Sequence, residues 1–128
     1  MAENHHNHPI GKFGEKLAKE FLEKRGYDII DSGVYFRVSE IDLVARKNQK
    51  LVFIEVKTRL SQKHGGAIYA LTKTKFRKIH TAALLYRKKY FFHAPIQIDF
   101  IAIQIFRETK KARIRHFQNI SWNSFGIG

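Results

Sequence analysis

A chain of 128 residues with 44% hydrophobic residues and 11 phenylalanines is long enough for one domain with a core of its own. It has no cysteine, which excludes disulfides and thiolate metal sites, and no apolar run approaches the ~20 residues that span a bilayer. Against 11 Asp+Glu stand 24 Lys+Arg, a net charge of +13 that suits a polyanion partner, nucleic acid ahead of an anionic membrane surface. The lack of cysteine and of a secretory apolar segment fits a cytoplasmic location.

Residues 1–10 are polar, carry His5, His6 and His8, and read as a disordered lead with no scaffold to fix a metal among the histidines. Over 11–25 the spacing of Leu17, Ala18, Phe21 and Leu22 predicts a helix, stopped by Gly26. Glu15 falls on or beside its buried stripe, where spacing alone favours a boundary carboxylate paired with Lys12 or Lys19. A first strand starts at Tyr27–Ile30, breaks at Asp31-Ser32-Gly33 and resumes through Val34–Phe36. Two apolar runs follow at 40–46 and 51–57, and their short polar join, Lys47-Asn48-Gln49-Lys50, predicts an antiparallel hairpin.

Residues 59–70 read as a basic loop with Arg59, Lys63, His64, Gly65 and Gly66. The second helix, 72–90, sets Phe76, Ile79, Ala83, Tyr86 and Tyr90 on one face and Lys73, Lys75, Arg77, Lys78 and further cations on the other. Lys73 and Lys75 stand in its first turn, where the helix dipole disfavours cations. That placement suits a phosphate-holding end, and the alternative is a solvated basic face. Ile96–Ile105 reads as an apolar strand interrupted by Asp99, and 112–117 as a last strand with Arg113, Arg115 and His116. Trp122 and Phe125 anchor the tail. With no repeat and no linker, residues 11–128 form a single α/β domain in the order helix, three strands, helix, two strands.

Acids embedded in apolar runs need a partner, because a buried charge is costly unless it is paired or binds metal. A hairpin centred on Asn48-Gln49 puts Asp42 opposite Glu55 and Glu40 opposite Lys57, all on one face of the sheet. Opposed carboxylates repel unless a proton, Lys57 or a divalent cation lies between them. Hard cations take one or two carboxylates plus waters and substrate phosphate, the arrangement of a metal-dependent phosphodiesterase. The alternative is a structural network of two acids and a lysine.

Asp42 followed by Glu55-Val56-Lys57 resembles the D…(D/E)-x-K signature of the restriction-endonuclease-like nucleases. The longer pattern runs through Gly14-Glu15, Ala18, Phe21-Leu22, Gly26-Tyr27, Glu40–Ala45, Leu51–Arg59, Lys75, Lys78 and Asp99. It resembles the YraN family, also called UPF0102, over roughly residues 11–105. The resemblance implies a restriction-endonuclease-like α/β fold, a mixed central sheet of about five strands with flanking helices, related to archaeal Holliday-junction resolvases. It implies Asp42, Glu55 and Lys57 at the active site, Asp42 and Glu55 on Mg²⁺ or Mn²⁺, and Glu15 as an added acid near the metal. Where the family reads Asn-x-Arg-x-x-x-Gly before Glu-Ile-Asp, this chain has Gly33, Tyr35 and Ser39, with Arg37 a candidate substitute for the arginine. Those departures bear on substrate positioning and leave the acids and the lysine intact.

The expected activity is metal-dependent endonuclease cleavage of DNA, branched or single-stranded substrates included. Arg59, Lys63, Lys73, Lys75, Lys78, Arg113 and Arg115 would hold phosphates; for Tyr35, Phe36 and Tyr69 core or surface packing is the favoured role, and stacking on unpaired bases the alternative. The alternative is a nucleic-acid-binding module that keeps the fold without cleavage. A homodimer is admitted by the resemblance, since resolvase relatives pair to hold two strands.

Overall fold

The structure, a computed structural model, describes residues 9–61 and 71–125. Helix α1 (Pro9–Lys24) starts two residues before the expected position, with proline in the first turn, where a missing N–H costs nothing. It ends as expected at Gly26, whose φ of 86° lies in the left-handed region. The Gly26 N–H donates to Glu23 and the Tyr27 N–H to Leu22, a paired closure that satisfies the last carbonyls and turns the chain into the sheet.

Strands β1 (Asp28–Tyr35), β2 (Glu40–Lys47) and β3 (Lys50–Ser61) are followed by α2 (Lys73–Lys89), β4 (Ile96–Phe106) and β5 (Lys111–Phe117). The five strands lie in chain order; β3 and β4 pair in parallel and the other neighbours antiparallel. A parallel pair needs a crossover, and α2 lies in the segment that provides it. Residues 51–56 of β3 are buried without a break, the mark of a central strand covered on both faces. On one face α1 sets Ala18 and Leu22 against Leu43, Val52, Ile54, Val56, Ile101 and Ile103. On the other, α2 sets Phe76, Ile79, Ala83 and Tyr86 against Ile41, Val44, Phe53 and Ile98. Trp122 and Phe125, in a short 3-10 turn, pack on Phe76 and close that layer.

Two expectations are corrected. The first strand does not break at Asp31-Ser32-Gly33; it runs through them with an irregularity between Ile29 and Asp31 and a left-handed Gly33. The Asp31 carboxylate finds partners in place, accepting from the Ser32 N–H at 2.9 Å and the Tyr86 hydroxyl at 3.0 Å, so a polar run is tolerated on an edge strand. Strand β3 continues past residue 57 to Ser61, because β4 pairs with it as far as Phe106. Arg59 therefore belongs to a strand, not a loop.

The hairpin turn is where it was expected. Asn48 and Gln49 both have left-handed backbone, with φ of 51° and 63°, the requirement of a two-residue turn matched to strand twist. That turn fixes Leu43 opposite Ile54 and Val44 opposite Phe53.

Asp99, fully buried in β4, is held by a ring of donors. Tyr27 Oη donates at 3.0 Å, Gln97 Nε2 at 2.9 Å and the Asn119 N–H at 2.9 Å, while His116 Nε2 lies at 2.7 Å. Burial by itself would raise this carboxyl, but the bonds from His116, Asn119, Gln97 and Tyr27 outweigh it and hold Asp99 below the usual carboxylate range. The ring ties α1's exit, β4, β5 and the tail together. Asp99→Asn should lower unfolding free energy by roughly 2–4 kcal/mol in urea titrations, since it leaves buried donors without a charged acceptor. A change under about 0.5 kcal/mol, the ordinary range of a surface substitution, would assign the tie elsewhere.

Candidate active site

Strands β2 and β3 part company next to the two acids. Their ladder runs from the turn to Leu43 and Ile54 and stops; beyond it β2 stays with β1, where Glu40 pairs with Tyr35, and β3 stays with β4. The expected pairings of Asp42 with Glu55 and of Glu40 with Lys57 are therefore not ladder pairs, although Asp42 and Glu55 stay in reach of each other. At the fork, the Val56 N–H would look for the next β2 carbonyl. It donates instead to Asp42 Oδ2 at 2.7 Å. The side chain takes over a backbone role, so Asp42 is fixed where the strands open. Strict alternation is lost there as well: Ile41 and Val44, an odd and an even position, pack in the same layer under α2.

Asp42 and Glu55 are each only 3% exposed. Burial pushes the Asp42 carboxyl well above its usual range, the Glu55 charge adds to the rise, and the Val56 N–H opposes it. The two side chains are within hydrogen-bonding reach of each other. Lys57 Nζ stands 3.5 Å from Glu55 Oε2 with its side chain partly open to solvent. The four residues named from the sequence, Glu15, Asp42, Glu55 and Lys57, do meet.

Glu15 arrives by a close helix-to-strand approach. Gly14 packs on Thr58, where an added Cβ would lie 2.7 Å from the threonine Cβ, too near for any side chain. The absence of that atom lets α1 settle on β3 three residues past Glu55. Burial and then the Glu55 charge raise Glu15 to about 7, with Lys19 pulling the other way. Lys19 was one of the two expected partners, and its charge lowers Glu15, but burial and then the Glu55 charge outweigh it.

The cations fall into three groups. Lys75 is in the first turn of α2, its N–H bound to the Thr72 hydroxyl at 3.1 Å, and its Nζ reaches Ser39 Oγ at 3.4 Å beside Glu40. Ser39, where the family pattern has glycine, is not in a left-handed conformation; its hydroxyl meets Lys75 and donates to the Glu40 carbonyl at 3.2 Å. Lys73 and Lys78 are exposed on the same helix. Arg59 lies two residues beyond Lys57 on β3, and Arg113 and Arg115 are exposed on β5. Lys63 and Tyr69 lie outside the described residues. Of the other aromatics named for stacking, Tyr35 is 77% exposed and Phe36 packs in the layer under α2. A cavity of about 440 Å³ lies at the hairpin end of the sheet, lined by Arg46, Lys47, Lys50 and Phe92, and contains none of the acids.

Sequence reasoning did not foresee the Val56–Asp42 bond or the Ser39–Lys75 contact, because a backbone donor leaves no residue signature and residues 36 positions apart share no periodicity.

Among the described residues, no group of three or more His, Cys, Asp or Glu side chains is arranged to hold a metal ion. Asp42 and Glu55 are the two buried carboxylates that stand side by side at the fork. Two hard oxygen donors suit Mg²⁺ or Mn²⁺, which keep waters and share a site with substrate phosphate, and not a metal that needs a full protein cage. No helix among the described residues is long and apolar enough to cross a membrane.

A mixed five-stranded sheet between two helices, with a buried acid pair and a lysine at the fork of two strands, defines a small basic α/β domain with a prepared polar site. The family model for the uncharacterised protein family UPF0102 matches residues 14–118, and the chain belongs to that family, the YraN family. It is 39% identical over 112 residues to the UPF0102 protein of Renibacterium salmoninarum, a match covering 87% of this chain and 94% of the relative. Over 113 residues it is 38% identical to the UPF0102 protein of Syntrophomonas wolfei, covering 88% and 97%. With the relative from Geobacter sulfurreducens the identity is 40% over 117 residues, covering 91% of each.

The raised acids make a prediction about pH. Between its ordinary value of 4.5 and about 7, folded Glu15 keeps a proton that the unfolded chain has released. The folded state binds more protons, so this group's contribution to stability falls as pH rises through that window. In EDTA, the melting temperature of wild type should fall more steeply from pH 5 to pH 7.5 than that of Glu15→Gln, and Mg²⁺ should recover the loss at pH 7.5. Parallel profiles for the two proteins would contradict it.

Proposed function

We propose that this protein is a metal-dependent nuclease that hydrolyses phosphodiester bonds of DNA at the Asp42–Glu55 fork. One observation carries the reading: two carboxyls are buried against each other at an opening between strands, with Lys57 3.5 Å from Glu55. Asp42 is raised by burial and by the Glu55 charge beside it, a state that a divalent cation relieves. The resemblance to D…(D/E)-x-K nucleases points the same way.

Asp42 and Glu55 would hold Mg²⁺ or Mn²⁺, which when bound supplies Lewis acidity and offsets the negative charge of the attacked phosphate. The Asp42 carboxylate stays aimed by the Val56 N–H. Lys57, tethered to Glu55, donates toward the attacking water and stabilises the oxyanion that develops on phosphorus. Glu15, raised to about 7, sits near the midpoint of its titration at neutral pH and can take up or return a proton beside the pair. Lys75 at the start of α2 and the arginines of β5 attract and position the backbone, a contribution that weakens with salt and carries no sequence information. The acid pair and the lysine come from one chain.

The test is cleavage of plasmid, single-stranded and four-way-junction DNA in Mg²⁺ or Mn²⁺. Wild type should cut, and Asp42→Ala, Glu55→Ala and Lys57→Ala should each lose on the order of 10²-fold or more in rate, as expected when a metal ligand or charge-stabilising group is removed. Wild type cutting no faster than Asp42→Ala, while still binding DNA, would leave the non-catalytic binding module as the function.

A further inference from the structure

The sheet carries a second feature, running away from the acid pair across β3, β4 and β5. Register aligns three rows: Glu55 with Phe100 and Phe117, Lys57 with Ala102 and Arg115, and Arg59 with Gln104 and Arg113. Residues in register, and those two apart along a strand, share one face. The opposite face at these positions is the core under α1, built from Ile54, Val56, Ile101 and Ile103. In β5 the alternation is plain, with Ile114 and His116 half-buried and Arg113, Arg115 and Phe117 exposed. Glu55 is the only acid in the three rows, and β5 contains none.

We infer that this face takes up an unpaired nucleic-acid strand, its phosphates on Lys57, Arg59, Arg113 and Arg115 and a base against Phe117; for what then happens to the strand, the inference rests on the nuclease reading. Charge fixes the class of ligand, because four cations in adjacent rows complement a polyanion. The aromatic fixes its strandedness. Phe117 is 43% exposed, and its ring is stacked on buried Phe100 at 5.9 Å with 24° between planes, so it offers a held, open ring in the same row as Glu55. Bases inside a duplex cannot reach such a ring, whereas an unstacked base can.

The experiment is fluorescence anisotropy in EDTA with a labelled single-stranded oligodeoxynucleotide and a blunt duplex of the same sequence, across a salt series. Wild type should bind the single strand about 10-fold or more tighter than the duplex, and Arg115→Ala should lower the salt slope by about one. Phe117→Ala and Phe117→Leu, the second preserving apolar cover for Phe100, should each weaken single-strand binding at least about 5-fold, the low end of a stacked base, with the salt slope unchanged. Phe117→Trp should restore it. Equal affinity for duplex and single strand, or unchanged single-strand binding by Phe117→Leu, would overturn the inference. A strand preference that persists without any cleavage on adding Mg²⁺ supports this surface while removing the nuclease reading. Cleavage with no strand preference removes the surface and keeps the nuclease.

Discussion

Where β2 leaves β3, the Val56 N–H loses its ladder acceptor and the Asp42 carboxylate takes that place at 2.7 Å. The opening of the sheet hangs on this substitution. A buried N–H without a partner costs roughly 1–3 kcal/mol, so the fork is tolerable only because an acidic side chain closes it. The same bond fixes that carboxylate next to Glu55. Structural need and chemical capacity therefore meet in one residue, and the site comes with the way the two strands separate.

Two buried aspartates in this sheet illustrate opposite solutions to one problem. Asp99 collects donors from Tyr27, Gln97, His116 and Asn119, stays ionised below the usual range and locks four parts of the chain together. Asp42 accepts from the Val56 N–H, but burial and the Glu55 charge push it up. Satisfied charge makes Asp99 a fastening. A second acid beside it sets Asp42 apart, and perturbation of that kind is what the proposed metal site builds on.

Much of this could be read from the sequence, for definite reasons. Two apolar runs around Asn48-Gln49 specify the register, and the register specifies that Asp42 approaches Glu55. Helical spacing specifies Ala18 and Leu22 on the buried stripe and places Glu15 beside it. Other features depend on contacts remote in the chain. Asp31 looks like a strand breaker until Tyr86, 55 residues away, is seen to bind it. The extent of β3 is set by β4, so Arg59 passes for a loop residue when only local composition is considered. Gly14 shows no local demand for glycine; its need comes from Thr58. The stack of Phe117 on Phe100 follows from the β4–β5 register, which turn chemistry at Lys110, left-handed with φ of 56°, conceals from a reading by residue type.

The central claim is that the Asp42–Glu55 pair exists to hold a divalent cation, and a calorimetric titration with Mn²⁺ tests it most directly. Performed near pH 6.5 in two buffers of different ionisation enthalpy, it reads metal binding and proton release together. The account predicts saturable binding accompanied by proton release, because the raised Asp42 carboxyl must lose its proton before it can ligate. Asp42→Asn should abolish both. Absence of saturable binding by wild type, or binding that survives Asp42→Asn with the same proton count, would contradict the account.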